Sequence, residues 1–339
     1  MRERHRHVLF VAVVGAALTV ASIGAQHEAP SNDYPNPYTI ETWGHLPAGR
    51  MFGGIAGVDV DIDGKSLWVF ERCGAASCVG SPVAPLLKFD ANGLLVASFG
   101  AGMFVYPHGV HVDRQGNVWV TDGRGEQGKG HQVVKFSPTG KVLMTLGKAG
   151  VAGNGPDTFN MPSDVLVAPN GSIFVADGHG GDSNARIVKF DKDGHYLKEW
   201  GKKGSGPGEF DTPHGLLLDA RGRLIVADRG NSRIQVFDQE GRYITEWHQF
   251  GRPSGIALDT KGVLYVADSQ SNTSKVNPTV KRGVRIGPLA EARVQFFVPE
   301  PDPLIETETG GREGVAVDRD GVVYVTRTGN GALFRYTRK

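Results

Sequence analysis

The chain has 339 residues, with 37 Lys and Arg against 36 Asp and Glu, a formal charge of +1. A balance this close gives no electrostatic case for nucleic acid or for an anionic lipid surface as a partner. The length suffices for a large core in one or two domains.

The first segment stands apart from that core. Met1–His7 is basic, Val8–Ala25 is apolar with small residues, and Ala25-Gln26 suits cleavage, so residues 1–25 read as a secretory signal peptide. The apolar run is also long enough to serve as an uncleaved anchor. Cleavage removes three Arg and one Glu and takes the formal charge from +1 to −1. A secreted or periplasmic protein with no membrane partner is the expectation. Residues 26–37 read as a linker. Cys73 and Cys78 follow in a loop of small residues, and in an exported chain that spacing reads as a local disulfide.

From there the sequence repeats. Units begin near Gly53, Pro107, Pro162, Pro213, Pro253 and Arg312, and from Pro107 onward the starts are 55, 51, 40 and 59 residues apart. Each has an apolar strand, a turn such as Gln115-Gly116 or Asn170-Gly171, and a second β-rich strand. Third strands follow at Gln132–Ser137, Arg186–Asp191 and Arg233–Asp238, then a second turn and a fourth strand ending in Leu146-Gly147, Trp200-Gly201 or Trp247-His248. Four antiparallel strands at this spacing predict an all-β fold, a six-bladed β-propeller over residues 38–339. The last unit has only three strands, while Tyr38–Gly44 reads as a strand ahead of the first. The N-terminal strand is therefore predicted to complete the last blade and remove the open edge. The recurring Asp113, Asp219, Asp259 and Asp318 are predicted to bond turn backbone, and the Trp residues near blade ends to pack between blades. The stretches Gly204–Phe210 and Ala227–Phe237 resemble the NHL family of repeats, which implies the same propeller.

The blades differ where chemistry would sit. Pro107-His108-Gly109 and Pro213-His214-Gly215 place His at the entry to the innermost strand of two blades separated by one other. The matching positions elsewhere read Ser163, Ser254 and Glu313. Two imidazoles and a carboxylate converging on the channel suit zinc or another divalent ion with a position left for substrate; the alternative is that each His caps its strand. His111, on the strand itself, reads as packing. The loops after the second strands carry Arg72, His179 and Arg229. The two arginines are candidate clamps for a substrate carboxylate, or partners of turn aspartates. His179 is a candidate general base or acid, or a solvated loop residue.

The paired Pro-His motifs resemble the amidating-lyase family, the peptidyl-α-hydroxyglycine α-amidating lyases. Phe70-Glu71-Arg72 and Ala227-Asp228-Arg229 are similar to that family's active-site arginine segments. The resemblance implies a six-bladed propeller with zinc on three histidines, a structural calcium nearby, and cleavage of a C-terminal α-hydroxyglycine to a peptide amide and glyoxylate. This chain departs from the pattern at three positions: Glu313 replaces the third zinc His, Gly314 a calcium-linked Asp, and His179 the catalytic Tyr. The expectation is a monomeric, metal-dependent carbon–nitrogen lyase acting on a peptide C terminus or related small α-hydroxy amide. A non-catalytic propeller binding protein or glycan stays open. Its rim would come from Lys275, Lys281, Arg282, Arg285 and Arg293 in the insertion 269–311. A lactonase-like hydrolase, with Glu313 on the metal, is the third reading.

Overall fold

The computed structural model describes residues 28–272, 277–301 and 310–339. The predicted signal segment, its cleavage point and Lys275 lie outside the described residues.

Twenty-four strands form six four-stranded antiparallel sheets. The chain opens with β1 (Tyr38–Thr42). The first blade contains β2 (Ile55–Val60), β3 (Leu67–Glu71), β4 (Leu86–Phe89) and β5 (Leu95–Phe99). The second contains β6 (Pro107–Val112), β7 (Val118–Glu126), β8 (Lys129–Phe136) and β9 (Val142–Leu146). The third is β10 (Pro162–Val167), β11 (Ile173–Asp177), β12 (Arg186–Phe190) and β13 (Tyr196–Trp200). The fourth is β14 (Pro213–Leu218), β15 (Leu224–Asp228), β16 (Arg233–Phe237) and β17 (Tyr243–Trp247). The fifth is β18 (Pro253–Leu258), β19 (Val263–Asp268), β20 (Gly283–Pro288) and β21 (Phe296–Pro299). The sixth combines β22 (Arg312–Val317), β23 (Val323–Arg327) and β24 (Ala332–Arg338) with β1 on its outer edge. The register there runs from Tyr38 opposite Arg338 to Thr42 opposite Phe334, the closure expected from the sequence.

The core is divided among the blade interfaces. Six apolar clusters form, and each draws residues from two neighbouring blades. Trp119 and Val133 of the second blade, for example, pack with Ile173 and Val175 of the third. Tyr336 and Val325 of the sixth pack with Tyr265 and Ile286 of the fifth. The repeating aspartates act as expected. Asp113 accepts from the backbone N–H groups of Gln115 and Asn117 and from Trp119 Nε1, and Asp219, Asp259 and Asp318 hold equivalent turns. The Cys73–Cys78 disulfide is formed.

Two expectations change. The insertion 269–311 contributes β20 and β21 to the fifth blade, and Arg282 and Arg285 are buried in it. Arg285 pairs with Asp268 at 2.9 Å, so these two cations brace a blade instead of forming a rim. Nor does the stretch before β1 hang free. Phe297 N–H donates to Pro35 O, and Lys281 N–H donates to Asn32 Oδ1, laying it along the fifth blade.

Deleting everything before Trp43 removes β1 and uncovers the edge of β24. The thermal midpoint is expected to fall by roughly 10 °C, with aggregation, as befits losing a few kcal/mol from a domain of this size. An unchanged midpoint in calorimetry would show that this strand does not close the ring.

Candidate metal centre and its surroundings

Every pairing of an innermost strand with its neighbour carries an irregularity of register close to the strand's start. It lies between Ile55 and Gly57, Pro107 and Val110, Pro162 and Asp164, Pro213 and Gly215, Pro253 and Ile256, and Arg312 and Val315. Such bulges re-aim a side chain at the end of a ladder. Here they present Ala56, His108, Ser163, His214, Ser254 and Glu313 around one end of a central cavity of about 280 Å³. His108, His214 and Glu313 stand on the second, fourth and sixth blades, so they approach from three directions.

The structure gathers these three and adds His179. One ligand atom from each of His108, His179, His214 and Glu313 lies within 4.8 Å of every other. The imidazole ring centres are 4.7 Å apart for His108–His179 and for His108–His214, and 5.2 Å apart for His179–His214. His179 reaches the cluster because Gly178 turns the chain at φ +143°; a side chain at Gly178 would collide with Asn184 O. The His179 N–H donates to Ser183 Oγ, which holds the loop.

The ring nitrogens behave as a metal ligand set requires. His108 Nδ1 bonds the carbonyl of Ser163 at 2.6 Å, so Nδ1 carries the proton and Nε2 has its lone pair turned to the cluster. Ser163 is itself fixed through its hydroxyl, which donates to Pro213 O at 2.5 Å and lies 3.2 Å from Ala176 O. Nε2 of His108 and of His214 are buried without a hydrogen-bond partner. His214 Nε2 lies 2.9 Å from Glu313 Oε1 but outside hydrogen-bond alignment. Burial, then the His214 ring, pushes His108 well below the usual histidine range. Burial and Arg229 do the same to His179 and lower His214. For Glu313, burial alone would raise the carboxyl, but the adjacent His214 ring and the Arg229 guanidinium outweigh it and hold it ionised. Neutral imidazoles with unused lone pairs beside a buried carboxylate fit a divalent cation.

Gly314 offers no carboxylate at the position the family links to calcium. A side chain at Gly314 would meet Ala56 O at 2.7 Å, and its N–H is taken by Thr326 Oγ1. At that register only the third blade has a carboxylate, Asp164, whose Oδ2 accepts from Leu216 N–H and which burial pushes up to about 7.

The two arginines differ. Arg229 Nη1 donates to Glu313 Oε1 at 3.1 Å, and its Nη2 lies 3.2 Å from His179 Nε2, so it is engaged inside the cluster. Arg72 donates through Nε to Pro107 O and stacks on Tyr106, its guanidinium carbon 3.7 Å from the ring centre. Its loop is anchored by the buried Glu71 carboxylate, which accepts from the N–H groups of Gly53 and Gly74, and by the adjoining disulfide. Neither arginine has a turn aspartate as its hydrogen-bonded partner.

His111 is not a packing residue. It borders the central cavity, and its Nδ1 lies 3.5 Å from Asp59 Oδ2. Tyr106 was not singled out by the repeat; the signal lay in the residue before each unit's first strand position, aromatic here and Met161, Thr212, Arg252 or Gly311 in later blades.

Residues 210–237 match the NHL repeat. Over 141 residues the chain is 42% identical to a probable peptidyl-alpha-hydroxyglycine alpha-amidating lyase of Caenorhabditis elegans, covering 40% of this chain and 38% of that one. Over 155 residues it is 40% identical to the mouse peptidyl-glycine alpha-amidating monooxygenase, covering 43% of this chain and 15% of that one. The chain is a six-bladed β-propeller that carries an NHL-repeat match and is similar to the amidating lyases. The mouse NHL repeat-containing protein 3 is also similar, 36% identical over 157 residues, with 45% of this chain and 44% of that one covered. Among solved structures, a gluconolactonase of Xanthomonas campestris superposes with a TM-score of 0.61 at 16% identity, covering 93% of this chain and 98% of that one, which shows a shared fold. The chain thus spans 38%, 15% and 44% of the length of these three curated relatives.

Because His108 and His214 are depressed below the usual histidine pKa, protons compete with a cation only below that range. Calorimetric titration with Zn²⁺ is expected to show one tight site per chain, with affinity nearly flat from about pH 7.5 to 6.5, where ordinary histidines already begin to protonate. H108A/H214A is expected to remove the site while leaving the circular dichroism spectrum intact.

Proposed function

We propose that this propeller is an exported, metal-dependent carbon–nitrogen lyase that splits a C-terminal α-hydroxyglycine, or a related α-hydroxy amide, into an amide and a 2-oxo acid. The observation that carries the reading is the pair of buried, unpartnered Nε2 atoms of His108 and His214, converging with ionised Glu313. The names of the similar proteins support an enzyme of lyase type.

His108, His214 and Glu313 would hold the ion, zinc being the proposed one. When bound, it would act as a Lewis acid that lowers the pKa of a substrate hydroxyl. A carboxylate in place of a third imidazole moderates that acidity through its negative charge. The cleavage is an isomeric redistribution. The hydroxyl loses a proton as its carbon becomes a carbonyl, the carbon–nitrogen bond breaks with its electron pair going to nitrogen, and nitrogen gains a proton.

His179 is suited to carry that proton, because it is neutral at pH 7 and belongs to the cluster without being one of the three proposed ligands. Its Nε2 faces Arg229, and the substrate hydroxyl has to take that place before the ring can accept the proton and return it to nitrogen. Arg229 keeps Glu313 ionised and orients His179, whereas Arg72 is placed to hold the substrate carboxylate. The proton balance also explains how His can stand where the family has Tyr: either group can shuttle a single proton, but His does so without having to be a strong acid or base.

An assay for glyoxylate released from an N-acyl-α-hydroxyglycine tests the reading. Wild-type protein reconstituted with Zn²⁺ is expected to turn over. H179A is expected to lose about 10²- to 10⁴-fold in kcat, the usual share of one acid–base group, while retaining the ion. Full Zn²⁺ occupancy with no glyoxylate release would reject the lyase.

A further inference from the structure

The first blade anchors the loop after its second strand differently from other blades. In the third, fourth and fifth blades the aspartate closing that strand pairs with an arginine of the third strand: Asp177 with Arg186 at 2.9 Å, Asp228 with Arg233 at 2.8 Å, and Asp268 with Arg285 at 2.9 Å. In the first blade the counterpart is Glu71, and β4 carries no arginine to meet it. The Glu71 carboxylate accepts from Gly53 N–H and Gly74 N–H, and its cation is Arg50 of the preceding loop at 3.3 Å. The connection is also long, residues 72–85 against 229–232 in the fourth blade. What closes it is the Cys73–Cys78 disulfide.

That cross-link is the core of the loop. Residues 74–76 are small and exposed, whereas Cys73 and Cys78 are buried in one apolar cluster with Phe70 of the first blade and Phe104 at the entry to the second. Cys73 has a left-handed backbone, φ +56°, a conformation that a residue other than glycine keeps only where its surroundings hold it. Both ends of the loop reach the site. Arg72 N–H donates to Gly54 O at 3.0 Å, Arg72 O accepts from Ala75 N–H at 2.9 Å, and Cys78 N–H donates to Val105 O at 2.8 Å. Val105 leads into Tyr106. The guanidinium carbons of Arg72 and of Arg124, on the β7–β8 hairpin, lie 3.7 and 3.9 Å from the centre of its ring. The Tyr106 and His108 rings are stacked with centres 6.4 Å apart, and Arg72 Nε donates to Pro107 O, the carbonyl just before His108. One covalent loop therefore sets the backbone of Arg72 and the backbone beside Tyr106, and both side chains meet the strand that presents His108.

We propose that the Cys73–Cys78 disulfide is the clasp that positions Arg72 and Tyr106 beside the His/Glu cluster, taking the place of the aspartate–arginine pair used by other blades. Cys73 and Cys78 act through Arg72 and are positioning residues. The metal centre is anchored independently, His108 through Ser163 O and the His179 loop through Ser183 Oγ, so it does not depend on the clasp. The proposal rests on the lyase reading only for the task of Arg72; the placement of Arg72 is tested without turnover.

The test compares the full chain with its C73A/C78A variant. Hydrogen exchange followed by mass spectrometry is expected to speed up by at least about tenfold at the amides of residues 72–78 and Tyr106 and to stay unchanged in the other blades, because the cross-link removes conformational entropy from the open loop. Arg72 is only 7% exposed, so phenylglyoxal is expected to spare it in wild-type protein and to modify it in the variant, with exposed Arg124 labelled in both. Zn²⁺ affinity is expected to stay within about threefold, since none of the proposed ligands is disturbed. In the glyoxylate assay KM is expected to rise at least about tenfold with kcat nearly kept, the pattern of lost uniform binding. Unchanged exchange and labelling at Arg72, or exchange raised alike in all six blades, would overturn the proposal. If C73A/C78A does not fold, wild-type protein reduced with dithiothreitol and alkylated at both thiols is measured in the same way; unfolding there too makes the disulfide a general staple and overturns the clasp. If exchange and labelling respond as expected while no form releases glyoxylate, the clasp stands and the lyase reading falls.

Discussion

Strand β1, supplied from the N-terminal end, pairs with β24 at the other end of the chain and closes the ring. Each blade buries its apolar faces only against its neighbours, so an open array would leave two faces and two strand edges exposed. Closure converts five interfaces into six and fixes the angle at which each innermost strand meets the channel. Everything functional in the molecule depends on that angle. His108, His214 and Glu313 are distant in sequence, and they meet because blades two, four and six must point at one axis.

Within that frame the site is built by small local departures. The bulge at the start of each innermost strand pairing aims one side chain at the channel mouth, and most blades spend it on a small or hydroxyl residue, as at Ala56, Ser163 and Ser254. The intervening blades are not idle. The Ser163 carbonyl orients His108, and the backbone of Ser254 bonds His214, so alternate blades supply the candidate ligands while those between them set ring orientation. This separation keeps the imidazoles neutral and their lone pairs unspent, at the energetic cost of two buried nitrogens without partners. The charges are distributed in the same spirit: Arg229 is turned inward to Glu313, while Arg72 and Arg124 stack on the Tyr106 ring.

The repeat made most of the fold legible. Turn glycines, alternating strands and the recurring aspartates are all local signals, and the structure reproduces them down to the donors each aspartate accepts. The insertion 269–311 was the weak point, because its cations resemble a solvated surface until Arg285 is seen packed in the fifth blade against Asp268. His111 misled for a related reason. A histidine on a strand resembles a packing residue until its Nδ1 is seen beside Asp59 of the neighbouring blade. Tyr106 and Arg124 were invisible as a pair, since their relation exists only across the hairpin.

The sequence by itself determined the blade count, the closure and which positions of the repeat are chemically unusual, because these follow from short-range periodicity and from comparing one unit with the next. Only the tertiary structure decided which unusual residues meet. It brought His179 from a loop into the His/Glu cluster, committed Arg229 to Glu313, and left Arg72 and Arg124 both stacked on Tyr106. Those outcomes depend on distances between blades and on which lone pairs are already used, quantities that ring geometry sets and that no single repeat encodes.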